Sequence, residues 1–309
     1  MEVPLLQELK PPKKGFLVLG SLTEDWVEAP GVKLEGELGG SAAYFALTAR
    51  HFGPVSVVGA VGPDREADVR EVLAFADLSG LTVTEEPTYA WHGRRAEIGG
   101  EAETLSRFTA GSSGYRPVLP QAADWPADVF LASFNPETQL EVAMAAPAGA
   151  RVAGDTMDFF IRDQPAAVDR MIARVRLLFV TNAELLALTG SDDVAVGAGA
   201  LLARHPLETV VVKLGTAGVD AFTRFGRVTL PACAANVVDP TGCGDSVAAA
   251  TLGRLRESGI DGLDGVVEAL HWGLAAAAIN IEGIGMRSVS LATRADLERR
   301  VEAYYAQLG

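Results

Sequence analysis

An α/β fold, with a mostly parallel central sheet covered by helices on both faces and a small β-sheet lid, is what this sequence predicts. Three observations carry it. Short apolar runs rich in Val and Leu recur along the chain, bounded by Gly or turn residues. Segments with apolar residues at helical spacing separate them. One stretch, 81–108, breaks the alternation with short strand-like runs joined by glycines. Strands that alternate with helices pair in parallel through crossovers, and strands buried on both faces read as continuous apolar runs.

In chain order, 15–20 (GFLVLG) is the first buried strand, 41–52 has helical spacing, 55–59 is a second strand and 64–78 reads as a helix. Residues 129–132, 151–154, 177–180 and 209–215 are further strands, with helical segments between the first three. Within 81–108, the runs 82–84, 90–98 and 103–108 read as short antiparallel strands with Gly turns, and 31–38 adds another. They are read as lid insertions, at about 31–38 and 81–109, in a single domain covering 1–309; an ordinary surface hairpin is the alternative.

The composition narrows the function. With 309 residues, 49% hydrophobic and 21% charged, the chain can bury a sizeable core and is not disordered. A net charge of -14 excludes a general nucleic-acid or membrane-surface binder, which needs a basic face. It leaves phosphate ligands open, because amides and a few cations build such sites locally. Cys233 and Cys243 make no disulfide framework, and no metal-ligand spacing is present. Residues 1–14 lack the apolar core of a signal peptide, and no uncharged apolar stretch reaches membrane-span length, so a cytoplasmic protein is expected. His51, His92, His205 and His271 are scattered, with no triad or metal spacing; only His92, in the lid, is placed to reach a substrate.

The most informative run is Asp239-Pro240-Thr241-Gly242-Cys243-Gly244-Asp245, which opens a small-residue helix at 246–250. Glycines flanking a small residue let backbone N–H groups converge at a helix start, where amides lack internal partners and the dipole is positive. A carboxylate directly after such an anion site is odd if the site only holds phosphate. It makes sense if Asp245 takes a proton from a hydroxyl while the amides stabilise a phosphoryl group in transit. The plainer reading is a Gly-rich turn with Asp245 as a first-turn helix acid.

This run resembles the C-terminal signature of the ribokinase-like (PfkB) carbohydrate and nucleoside kinases, usually D-T-x-G-A-G-D. The resemblance implies a three-layer α/β sandwich, with Asp245 as catalytic base and the amides of Gly242, Cys243 and Gly244 as anion hole. Cys243 stands where Ala is usual. Upstream, Gly39-Gly40-Ser41-Ala42-Ala43 is similar to the family's N-terminal signature, whose glycine pair contacts the sugar, although small residues also serve helix packing. The preceding G-S-L-T-E-D turn places Asp25 where relatives bind sugar hydroxyls, with Thr23 in place of an Asn; a turn or capping acid is the alternative for Asp25.

Other segments fall in the family's order. Thr181-Asn182-Ala183-Glu184 ahead of Leu188-Thr189-Gly190 resembles its N-x-x-E segment, which implies that Glu184 organises magnesium through water. Thr181 stands where Asn is expected, and a helix N-cap would explain the same residues. Lys213-Leu214-Gly215-Thr216-Ala217-Gly218 resembles the turn over the ATP phosphates and ribose, making Lys213, Gly215, Thr216 and Gly218 nucleotide-binding candidates; by itself it reads as a hairpin turn. No Walker loop occurs. Residues 275–279 look like the family's helix beside the adenine, and 280–288 like the loop that holds a monovalent cation with Asp239 and Thr241 in several relatives. That loop is altered here, which leaves K+ open.

The resemblance spans about 15–288 and implies an ATP- and Mg2+-dependent kinase acting on a primary hydroxyl of a sugar or sugar-like acceptor, under a lid that excludes water. Tyr44 replaces the sugar-binding Asn of ribokinases. With Phe45 and Trp91 it offers aromatic surface for a nucleobase or a sugar face, so a nucleoside acceptor fits as well; a core position for Tyr44 and Phe45 is the alternative. Asn135 lies where relatives place a further acceptor contact, and Asp155 and Asp158 end another strand. A weakly catalytic sensor on the same fold is a second reading. An open lid edge would also invite two lids to pair as a homodimer.

Overall fold

The computed structural model describes residues 13–100, 102–106, 115–121 and 124–309. The first twelve residues, and the parts of the expected lid at 101 and 107–109, lie outside the described residues.

Among the described residues the main sheet has nine strands. In chain order these are β1 (Lys13–Leu19), β4 (Val55–Val61), β5 (Asp77–Val83), β8 (Pro126–Leu131), β9 (Arg151–Gly154), β10 (Leu177–Thr181), β11 (Thr209–Lys213), β12 (Val219–Thr223) and β13 (Gly226–Leu230). Their spatial order is β13-β12-β11-β10-β9-β8-β1-β4-β5. From β11 to β5 all pairings are parallel; only the β11–β12–β13 edge is antiparallel.

The period-2 alternation of each strand sorts side chains between two cores. Phe16, Val18, Phe130, Phe179 and Val211 face one side, against α1 (Ser41–Ala49), α8 (Cys243–Ser258) and α9 (Gly262–Ile281). Leu17, Leu19, Leu131, Leu178 and Val210 face the other, against α3 (Pro136–Ala145), α5 (Pro165–Ile172), α6 (Asn182–Thr189) and α7 (Val194–Arg204). The result is the three-layer α/β sandwich that the resemblance implied. No single helix among the described residues is long and apolar enough to cross a membrane.

The lid is a separate four-stranded sheet of order β3-β2-β6-β7, built from β2 (Thr23–Ala29), β3 (Val32–Gly39), β6 (Ala90–Arg94) and β7 (Glu103–Thr104). Three expectations need correcting. The first insertion begins at Thr23, not 31, so Thr23 and Asp25 sit on a lid strand rather than in a turn. The strand at 77–83 belongs to the main sheet, paired with β4, and the helix expected over 64–78 is only α2 (Glu66–Val72). Val72, Leu73, Ala76 and Leu78 reach the core from either structure, so helical spacing could not tell them apart and pairing with β4 decided. Nor is the lid wholly antiparallel, since β6 joins β2 in parallel.

Candidate active site

The carboxyl ends of β1, β8, β9, β10 and β11 open into one cleft of about 490 Å³, roofed by the lid and closed by the start of α8. This is where a parallel sheet places ligands, because its loops and helix N-termini converge there. Asp25, Thr23, Gly40, Tyr44, Thr181, Glu184, Lys213, Gly215, Thr241 and the run 242–245 all line it.

At the start of α8, Gly242 is the N-cap in the left-handed region (φ 76°), where a Cβ would also lie 2.1 Å from the Tyr44 ring. Only glycine meets both demands. Cys243 N–H already donates to Pro240 O at 3.1 Å, whereas the Gly242 and Gly244 N–H groups, at the same cleft-lining helix start, donate to no backbone acceptor among the described residues. The Cys243 thiol points away, toward Ala277 O (3.6 Å) and Asn280 Nδ2 (3.4 Å), and burial pushes it up to about 12. It is packing, not a nucleophile. Asp245, in the first turn, has its carboxyl raised well above the usual range by burial and by the Asp155 charge, against the pull of Lys213.

Lys213 Nζ bonds Asp155 Oδ2 at 2.8 Å and would lie 3.1 Å from a Cβ on Gly244, which places an ammonium beside the helix N-terminus. Burial alone would lower the Lys213 pKa, but Asp155 and Glu184 outweigh it and hold the side chain charged. Glu184 is raised by burial and by Asp155, while Lys213 pulls it down. Glu184 and Thr181 form a capping box: Thr181 N–H donates to Glu184 Oε2 (2.7 Å) and Glu184 N–H to Thr181 Oγ1 (3.2 Å). Thr181 is therefore the N-cap of α6 while also lining the cleft. In the turn after β11 only Gly215 lines the cleft. Thr216 is exposed outside it, and Gly218 is glycine because Leu230 O would lie 2.1 Å from its Cβ.

At the opposite end, Asp25 is 2% exposed and accepts from Thr23 Oγ1 (2.5 Å) and from the Gly40 amide. Burial raises its carboxyl to about 7; Thr23 opposes this and Asp239 adds to it. Gly39 makes room for it, since a Cβ there would fall 1.9 Å from Asp25 Oδ2, and Gly40 (φ 100°) lets the chain pass Ser21 O. Tyr44 is 1% exposed, with its hydroxyl buried and without a partner at the cleft floor. It is wedged under Gly242 and so is no free stacking platform. Phe45 is core, stacked on Phe130 at 4.5 Å. The aromatic lining comes instead from Tyr89 and Trp91 on the lid and from Phe159 and Phe160 on α4 (Asp158–Asp163). His92 turns outward and stacks on Trp26 (5.7 Å), away from the cleft.

Asn135 is corrected. It is the N-cap of α3, accepting Glu137 N–H at 3.0 Å, and does not line the cleft; Ser133 does. An Asn-Pro-Glu run after a strand is itself a helix-start signal, and that signal prevails here.

Two residues take part in the site in ways the sequence did not assign to them. Arg95, 7% exposed, reaches from the end of β6 to Asp239 Oδ1 (3.4 Å) and Thr241 Oγ1 (3.1 Å). Asn280, at the end of α9, donates to Thr241 O at 2.7 Å. Arg95 had no motif to announce it, and Asn280 opens the 280–288 segment without its own contact being legible; both act through contacts between distant segments.

Comparison with known proteins bears on the family and the fold. Residues 126–294 match the model of the pfkB family of carbohydrate kinases. A cytidine kinase of Thermococcus kodakarensis is 28% identical over 244 residues, 75% of this chain and 85% of that protein. A fructokinase of Klebsiella pneumoniae is 34% identical over 99 residues, a third (32%) of each chain. Among solved structures, the nucleoside kinase of Methanocaldococcus jannaschii, an archaeal member of the ribokinase family, superposes with a TM-score of 0.74 at 20% identity, covering 94% of this chain and 99% of that one. The aminoimidazole riboside kinase of Salmonella enterica gives 0.75 at 22% identity, covering 93% and 100%. With the matched stretch taking in the sheet from β8 onward and the whole Asp239–Asp245 run, the chain belongs to the pfkB family of carbohydrate kinases and is a phosphotransferase with a hydroxyl acceptor.

Proposed function

We propose that this enzyme transfers the γ-phosphoryl group of ATP to a primary hydroxyl of a sugar or sugar-like acceptor, with Asp245 as the base. The observation that carries this reading is the convergence, at one helix start, of a buried carboxylate, the Gly242 and Gly244 amides and the Lys213 ammonium. The acceptor hydroxyl gives its proton to Asp245 as its oxygen bonds to the γ-phosphorus, and the bond from that phosphorus to the β,γ-bridging oxygen breaks to release ADP. A carboxyl with a raised pKa accepts a proton more readily once ionised, and Lys213 favours the ionised form. The amides and Lys213 face charge on the transferring group; one such donor is commonly worth about 3 kcal/mol. Asp25, fixed by Thr23 and Gly40, is suited to accept hydrogen bonds from acceptor hydroxyls.

Hard anionic oxygens of Glu184 and Asp155 beside Lys213 suit magnesium held through water, which would neutralise phosphate charge. Gly215 lies along the nucleotide side of the cleft.

A nucleoside acceptor is the second reading. It is favoured by Tyr89 and Trp91 on the lid, which line the cleft on the side of Asp25 and offer rings on which a base could stack. The cytidine kinase relative and the nucleoside kinase fold neighbour support it. A coupled ADP-release assay with Mg-ATP against pentoses, hexoses, inositols and nucleosides tests both. One strong acceptor is expected, and its class chooses between them. Silence across the panel, with binding still seen by thermal shift, would replace catalysis with sensing. The lid edges β3 and β7 carry no further strand among the described residues, which supports pairing of two lids; a dilution-stable monomer by light scattering would exclude it.

A further inference from the structure

The family resemblance implies a monovalent cation at Asp239 and Thr241, and the atoms here do not fit one. Asp239 is 1% exposed, and both its oxygens are taken. Oδ1 accepts from Thr241 N–H (3.0 Å), Thr241 Oγ1 (2.7 Å) and Arg95 Nη1 (3.4 Å), and Oδ2 from Gly285 N–H (2.9 Å). The Thr241 hydroxyl also accepts from Arg95 Nη2, and the Thr241 carbonyl accepts from Asn280 Nδ2. The oxygens that would ligate an ion are turned toward N–H and O–H donors, and a guanidinium stands among them. A second cation there would meet repulsion.

We propose that Arg95 is a built-in cation: its guanidinium takes the place of a monovalent ion at Asp239, and the enzyme works without K+. A buried carboxylate needs a counter-charge. Arg95 meets that need with a fixed fork of donors. Its backbone N–H is pinned to Glu28 O (2.8 Å) and its Nε to Gly100 O (3.1 Å), so the head group has little freedom. The pair matters for chemistry because Asp239 joins the Gly285 loop to Thr241, one residue before Gly242. Arg95 is thus a positioning residue for the anion-hole amides, and it is carried by the lid.

The inference rests on the kinase reading for its activity test and on stability alone for a second test. Turnover of the wild type with its best acceptor is expected to change less than about twofold between tetramethylammonium, Na+ and K+. Arg95→Ala should lose on the order of tenfold or more in kcat in tetramethylammonium and regain part of it with K+ or guanidinium at tens of millimolar, while Arg95→Lys should stay independent of added cation. Melting curves of the same proteins in the same salts need no turnover: K+ should raise the Tm of Arg95→Ala and leave the wild type unmoved. A wild type activated severalfold by K+, or a folded Arg95→Ala indifferent to K+ and guanidinium in both readouts, overturns the proposal. If no acceptor is turned over, the kinase reading falls and the melting series still decides this one. If Arg95→Ala does not fold, Arg95→Gln replaces it, and the wild-type salt series alone can overturn the idea.

Discussion

Two glycine turns open two helices that pack side by side, Gly39-Gly40 before α1 and Gly242–Gly244 before α8, and the space they clear is used differently. At the first turn the protein fills the space itself. The Asp25 carboxylate occupies the position of a Gly39 Cβ, and Ser21 O crowds Gly40. At the second turn, Gly242 admits the Tyr44 ring, but a Cβ on Gly244 would meet only the far end of Lys213 at 3.1 Å. The same residue type therefore serves internal packing at three positions and an open, cationic cleft at the fourth. Glycine in a motif says that something comes close; the partner is a tertiary fact.

The largest effect should come from the second turn. Asp245→Asn is expected to lower kcat by about 10² or more with ATP binding kept, measured by steady-state kinetics and nucleotide titration; retained turnover would remove Asp245 from the role of base. The glycine contrast comes next. Gly244→Ala should keep a near wild-type Tm and lose roughly 10² in kcat, because the methyl enters the cleft beside Lys213. Gly242→Ala should lose stability as well, from a strained φ and a collision with Tyr44. Equal melting losses for the two would break the comparison.

At the first turn, Asp25→Asn should raise the acceptor KM by about 10-fold to 100-fold with the ATP KM unchanged, as expected for loss of a charge-assisted hydrogen bond. The same carboxyl predicts a pH effect on stability. In the fold it holds its proton up to about 7, where an unfolded Asp loses it near 3.8. Its contribution is complete below the lower value and is lost as pH rises through the higher one. His51, lowered to about 4 chiefly by burial, works in the opposite sense but is spent by about pH 6.5. Between about pH 6.5 and 7 the Tm should therefore fall, with the raised carboxyls of Glu184 and Asp245 acting in the same sense, and Asp25→Asn should make the fall shallower. The smallest effect belongs to Asn135→Ala: about 1 kcal/mol of stability, read in urea melts, with no change in acceptor KM.

Much of this was legible in the chain. The apolar runs from 15 to 215 lie in β1, β4, β8, β9, β10 and β11, because strands buried on both faces need no partner information to be recognised. The segments 39–44, 181–184, 213–215 and 239–245, remote in sequence, line one cleft. What misled were residues whose pattern suited two structures. The run 72–78 satisfies a helix and an edge strand alike, Asn135 can cap or bind, and Gly218 lies in the β11–β12 hairpin turn that the same residues also suggested, outside the cleft.

The sequence by itself determined the alternation of strands and helices and the glycine-rich helix start with its adjacent carboxylate at α8, since these are local properties of short segments. Only the tertiary structure decided that Arg95 pairs with Asp239, that Tyr44 lies under Gly242 rather than open to a ligand, and that Cys243 N–H is spent on Pro240. Each of these is settled by what approaches from elsewhere: a buried charge or an unfilled Cβ position fixes the need for a partner, and chain topology fixes which residue arrives.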